Sequence, residues 1–141
     1  NGEFKLGAYK KALQQANLEV NEQFIDATDG TYDEAILSWE SFNQKGLVPT
    51  AIFAGSDEIA LGVIHAIQDS GKRVPEDVEV ISFENSKLAR MVRPRLTSIA
   101  LPLYDIGAVS MRLLTKLLNK EEVAEKNVIL PYRIEIRNST K

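Results

Sequence analysis

The amino-acid sequence predicts an α/β fold built on a doubly wound parallel sheet. Segments of helical and of extended apolar period alternate along most of the 141 residues. Two runs, Thr50-Ala51-Ile52-Phe53-Ala54 and Val78–Phe83, are rich enough in apolar residues to be strands covered on both faces. Connections of only a few residues separate the segments, as helices returning over a parallel sheet require.

Taken in order, residues 3–16 read as a helix, with Phe4, Ala8, Ala12 and Ala16 at fourfold spacing. Gln23–Ala27 reads as a short strand closed by the turn-prone Thr28-Asp29-Gly30-Thr31. A helix over about 32–44 stops near Gly46, with Pro49 beyond it. After the run at 50–54, Ser56 and Asp57 stand where a helix N-cap is wanted, and Ile59, Ala60, Val63, Ala66 and Ile67 form a helical stripe ended by Gly71. The strand at 78–83 leads to a short helix near Ser86–Met91 and a breaker at Pro94. Leu96–Ala100 is extended, Tyr104–Asn119 is a strong helix, and the tail is expected to pair Val128–Leu130 with Arg133–Arg137. A sheet of this kind normally begins with a strand. This chain begins with a helix, so the sheet is expected to be incomplete, with its first strand upstream.

Composition narrows the function. The apolar share of 44% supports a sizeable core and the charged share of 26% a soluble surface. A net charge of -3 argues against this stretch gripping nucleic acid by itself, because phosphate binding leaves a basic footprint. Having no cysteine, the chain has no disulfide, thiolate nucleophile or thiolate metal ligand, which fits a cytoplasmic setting. Its longest apolar runs fall far short of the ~20 residues that span a bilayer. The opening Asn1-Gly2-Glu3-Phe4 carries neither an initiator Met nor a signal-peptide pattern and reads as a cut from a longer chain.

Catalytic chemistry is not expected. His65 is the lone histidine, set mid-helix as packing or surface residues are. Neither a Walker-type loop nor a glycine-rich dinucleotide fingerprint follows a strand, and Gly55 stands alone. No metal and no cofactor are implied. Open parallel sheets bind ligands beyond the carboxyl ends of their strands. Three loops qualify here: Thr28–Thr31, Gly55-Ser56-Asp57-Glu58 and Glu84-Asn85-Ser86. Their small polar and acidic groups suit hydroxyl-rich ligands, sugars or nucleosides, better than bare phosphate. The same residues also serve as helix caps, each worth ~1 kcal/mol, and that reading stays open.

On a helical wheel, Ile106, Val109, Leu113 and Leu117 of the 104–119 segment share one side, flanked by Gly107, Met111, Leu114 and Leu118. Asp105, Arg112, Thr115, Lys116 and Asn119 take the other face, with Tyr104 at its border. Arg112 and Lys116, one turn apart, form a positive patch suited to an acidic or phosphorylated partner, or an ordinary solvated face.

Several stretches resemble the LacI/GalR regulators: Gly7-Ala8-Tyr9-Lys10-Lys11-Ala12-Leu13, Ser56-Asp57-Glu58-Ile59-Ala60-Leu61-Gly62, Val74-Pro75-Glu76-Asp77 through Glu84-Asn85, Pro94-Arg95-Leu96-Thr97-Ser98-Ile99, and the ending from Leu130-Pro131 to Thr140. Together they cover essentially the whole chain. The resemblance implies a Rossmann-like, type I periplasmic-binding-protein-like fold lacking its N-terminal subdomain. It divides the chain into 1–100, the C-terminal subdomain of the effector core; 101–125, a crossover and contact helix of the N-terminal subdomain; and 126–141, the return. Tyr104 to Lys116, Val63-Ile64-His65 and Met91-Val92-Arg93-Pro94 are similar to the members that serve carbon catabolite control. Their corepressor is the serine-phosphorylated HPr phosphocarrier protein. The resemblance therefore implies that Tyr104, Asp105, Arg112, Thr115 and Lys116 contact it.

An effector cleft would hold Lys5, Ser56, Asp57, Glu84 and Asn85, where Lys5 takes the place of the family's usual arginine. Ser82 stands where the family usually has Gly, and Glu84 where it often has Asp, so inherited sugar recognition is weakened. Operator DNA would be bound as a homodimer through an N-terminal helix-turn-helix domain. A small sugar or phosphosugar effector is a further expected partner. The competing reading is a periplasmic-type sugar-binding solute-binding protein, which shares the fold. On either reading the apolar stripe of the 104–119 helix lacks its cover, and the isolated chain is expected to oligomerise or swap that helix.

Overall fold

A computed structural model describes residues 2–125 and 127–141; Asn1 and Lys126, the first residues of the expected segments 1–100 and 126–141, lie outside the described residues. Helix α1 (Gly2–Gln15) leads through a 3-10 turn at Glu22–Phe24 to α2 (Tyr32–Gln44), β1 (Ala51–Phe53) and α3 (Asp57–Asp69). Then follow β2 (Glu79–Glu84), α4 (Leu88–Met91), β3 (Thr97–Ala100), α5 (Leu103–Leu118) and β4 (Arg133–Glu135). The described strands form one sheet in the order β1-β2-β3-β4.

β1, β2 and β3 run parallel, with Ile52 opposite Val80 and Ser82 opposite Ser98, while β4 pairs antiparallel to β3, with Ile99 opposite Ile134. The expected parallel sheet is present, and β4 adds one antiparallel strand at its edge. The tail runs back along the free edge of β3, where Asn138 and Ser139 donate their N–H groups to Arg95 O. Ser139, fully buried, then locks the strands together: its Oγ donates to Val80 O at 2.6 Å and accepts from Thr97 N–H at 2.8 Å.

Helices α2, α3 and α4 cover the face that carries Ile52, Val80, Ser82 and Ser98. The core there joins Ala35 and Trp39 of α2 to Ala60, Ile64 and Ile67 of α3, with Val80 of β2 and with Val78 and Leu96, which lead into β2 and β3. Gly62 lets α2 and α3 approach closely: a Cβ there would stand 2.5 Å from Tyr32 O. Across the sheet Ile81, Phe83 and Ile99 are half-buried; α1 reaches that side with Lys5 over the Phe83 ring and buries no residue of its own.

Three expected elements differ. Gln23–Ala27 is not a strand. Asn21 caps a single 3-10 turn there by accepting from Gln23 N–H, and the segment finds no ladder partner. β1, expected in the interior, is an edge strand with Ala51 and Phe53 exposed. Val128–Leu130 does not pair with Arg133–Arg137. With Ile106, Val109 and Leu113 of α5 it lines a groove of about 490 Å³, while 133–135 takes the edge of β3.

Candidate functional site

Three parallel strands end at one edge, and the loops that leave it carry the polar groups singled out from the sequence. After β1, Ser56 caps α3: its Oγ accepts from Ile59 N–H at 3.2 Å. Asp57 turns inward and is buried. Its Oδ1 accepts from Ser82 Oγ at 2.5 Å and Ser98 Oγ at 2.9 Å, and its Oδ2 from Ser86 N–H at 2.5 Å. One carboxylate thereby binds α3, β2, β3 and the loop after β2, which satisfies the demand that a buried charge be hydrogen-bonded.

After β2 the backbone enters left-handed space twice in succession, Glu84 at φ 115° and Asn85 at φ 54°. Non-glycine residues held there cost on the order of 1–3 kcal/mol each and collect at functional sites. Glu84 itself is exposed. Asn85 is gripped at both ends, with its N–H donating to Ser98 Oγ at 3.0 Å and its Oδ1 accepting from Arg137 at 2.6 Å. Lys5 reaches the same edge from α1, donating to Gly55 O at 2.5 Å with its ammonium 4.3 Å from the centre of the Phe83 ring, a cation–π contact.

The 28–31 loop is drawn to this edge by Glu58, which accepts from Tyr32 N–H. Its polar groups are taken up locally. Asp29 accepts from both the hydroxyl and the N–H of Thr31, which hold its carboxyl below the ordinary aspartate range, and Thr31 caps α2.

Beyond β3 lies a cleft of about 500 Å³ lined by Asn85, Leu101, Pro102, Tyr104, Asp105, Pro131, Tyr132 and Arg133. It brings one residue of the expected effector set, Asn85, against two of the expected corepressor set, Tyr104 and Asp105. Lys5, Ser56, Asp57 and Glu84 do not line it. Arg112, Thr115 and Lys116 stand further along α5, all exposed; Thr115 Oγ donates back to Met111 O, while Arg112 and Lys116 make no ion pair or side-chain hydrogen bond among the described residues. α5 buries no residue, and Tyr104 is 87% exposed.

Sequence reading missed Ser82, Ser98 and Arg137. A signal for the serines existed: hydroxyls inside otherwise apolar strands need a buried partner. Arg137 gave none, because an arginine in a polar tail looks solvated until the fold sets it under a loop.

Residues 5–140 match the periplasmic binding protein-like domain. Over 97% of its length the chain is 53% identical to catabolite control protein A of Priestia megaterium, and it is 50% identical to that of Staphylococcus xylosus over 94%. It spans about two-fifths of those relatives, 41% and 40% of their lengths. Among solved structures, the transcription regulator CcpA of Lactococcus lactis superposes with a TM-score of 0.86 at 40% identity, covering 94% of this chain and 48% of that one. A transcriptional regulator CelR–cellobiose complex superposes with a TM-score of 0.89 at 30% identity, covering 95% and 41%. The chain belongs to the periplasmic binding protein-like domain family, and its relatives there are LacI-type transcription regulators, catabolite control protein A among them.

Proposed function

We propose that this chain is the effector- and corepressor-sensing part of a LacI-type regulator of carbon catabolite control, docking the serine-phosphorylated HPr phosphocarrier protein on α5. On this reading 1–100 forms the effector subdomain, 101–125 carries the contact helix and 126–141 returns to the sheet. The protein acts in the cytoplasm as a homodimer and grips operator DNA through a helix-turn-helix domain. One observation carries the reading: Arg112 and Lys116 stand side by side on an exposed helix face with no acidic partner among the described residues. A phosphoserine would find a two-pronged donor in Arg112 and a point charge in Lys116. Tyr104, Asp105 and Thr115 offer hydroxyl and carboxylate contacts on the same helix.

The strand edge supports a second input. Glu84, held in strained backbone at the strand edge whose loops also carry Ser56 and Asn85 and which Lys5 reaches, suits a hydroxyl-rich ligand, and a structural relative is a complex with cellobiose. Docking switches DNA binding only if the phosphorylated carrier prefers one arrangement of the two subdomains over the other.

Calorimetry on the full-length protein with serine-phosphorylated HPr tests the assignment, with unphosphorylated HPr as the control. Arg112→Ala is expected to weaken binding about tenfold or more, since a charge-assisted hydrogen bond is worth about 1.5–3 kcal/mol. It should also flatten the salt dependence while leaving the unfolding midpoint alone. Equal affinities for the variant and the parent would remove α5 as the docking site.

A further inference from the structure

Two adjacent non-glycine residues in left-handed backbone persist only where the surroundings over-determine them, and at Glu84–Asn85 the determinants lie behind the loop. Glu84 closes the parallel ladder opposite Ala100, and the next two residues are then pinned. Asn85 N–H donates to Ser98 Oγ, a hydroxyl whose own proton goes to the buried Asp57. Ser86 N–H donates to the other oxygen of the same carboxylate.

The third anchor comes from the far end of the chain. Arg137, two residues beyond β4, is half-buried and spends its guanidinium on two neutral oxygens, Leu96 O at 2.6 Å and Asn85 Oδ1 at 2.6 Å. Its own N–H donates to Thr97 Oγ at 2.9 Å. No carboxylate pairs with it among the described residues. Its contribution is therefore geometric: a rigid fork that spans β3 and the loop, which the single ammonium of a lysine cannot span.

We propose that Arg137 and Ser98 are positioning residues that hold the Glu84–Asn85 turn in its left-handed conformation, so that the C-terminal tail sets how the ligand edge presents Glu84. The consequence for ligand binding rests on the reading of that edge given above; the mechanical link does not. Tail and loop form one unit. A shift of the return segment at 131–133, which lines the cleft with Tyr104, reaches Asn85 through residues 134–136 and the Arg137 side chain.

Hydrogen–deuterium exchange of the full-length protein, read on peptides covering 83–88, α3 and β3, tests the link. Arg137→Lys is expected to speed exchange of the Asn85 and Ser86 amides by roughly tenfold, with α3 and β3 unchanged. Ser98→Ala should do the same at Asn85. Asn85→Gly removes the carboxamide and makes positive φ free of penalty, so adding Arg137→Lys to it should change loop exchange by less than about twofold. Wild-type exchange in Arg137→Lys, equal acceleration across α3 and β3, or full additivity with Asn85→Gly would each overturn the proposal. If Ser98→Ala does not fold, the Arg137–Asn85 cycle still decides. Cellobiose titration is the separate arm: a wild-type protein that ignores it counts against cellobiose as the ligand of that edge and leaves the exchange result standing, whereas unchanged exchange with binding intact sinks only the link.

Discussion

Gly62 shows how one position sets the distance between two helices. A Cβ there would lie 2.5 Å from Tyr32 O and 2.9 Å from the Ala35 Cβ, so backbone, not a flexible side-chain end, has to yield. Gly62→Ala is expected to cost about 1–3 kcal/mol, the usual range for overpacking, read from the urea midpoint with buried Trp39 as the probe. An unchanged midpoint would mean that α2 can slide on α3. Asp57 teaches a related point about legibility. The sequence shows an acidic residue at a strand end, which serves equally as cap, ligand contact or clamp. Only the positions of Ser82, Ser98 and Ser86, 25 to 41 residues away, decide that both of its oxygens are occupied within the fold.

A surface pair sets a pH effect. Asp77 accepts from the Arg73 side chain and from its N–H, and these bonds hold its carboxyl below the ordinary aspartate range. A depressed folded value means that the pair's contribution is present above the unfolded pKa and is lost as pH falls through the folded one. Asp77→Asn should therefore lower stability slightly near neutrality, where the pair contributes, and flatten the acid limb below about pH 4, so that variant and parent converge as the pH falls. A variant whose acid limb tracks the parent would show the pair to be too solvated to matter.

At the scale of elements, legibility follows locality. α2 and α3 are readable because their caps and stops lie within the helices' own neighbourhoods: Thr31 and Ser56 accept from N–H groups three residues on, and Gly71 at φ 82° ends α3; α5, with no side-chain cap, is readable from its amphipathic period alone. Strands are not self-sufficient in this way. Gln23–Ala27 has the composition of a strand but no neighbour, and it becomes a turn. Val128–Leu130 is likewise apolar and forms no strand; it lines a groove with Ile106, Val109 and Leu113 of α5, while the residues just after it take the edge of β3. The amphipathic wheel of α5 is present as read, with its cationic face exposed. Which partner that face meets is a property of a second molecule, and nothing along the helix encodes it alone.

For the molecule as a whole, what matters is which surfaces are left uncovered. One face of the sheet has a full helical layer; the other shows Phe53 and Ile134 to solvent. α5 exposes Leu103, Met111, Leu117 and Leu118, and the tail beside it leaves Ile129 96% exposed. Large apolar side chains left exposed along one helix and the tail beside it promote association. The 141-residue chain alone is expected to sediment as dimers or larger species in proportion to concentration. High salt should not dissociate them, because the contact is apolar and screening acts on charges. Leu117→Glu with Leu118→Glu should restore a monomer without altering the near-ultraviolet signal of Trp39, since that residue is buried between α2 and α3, remote from the substitutions. If the unsubstituted chain sediments as a single monomeric boundary at high concentration, the stripe on α5 is covered from within the chain. The groove it makes with 127–130 would then be closed in solution, and α5 would offer a partner its cationic face alone.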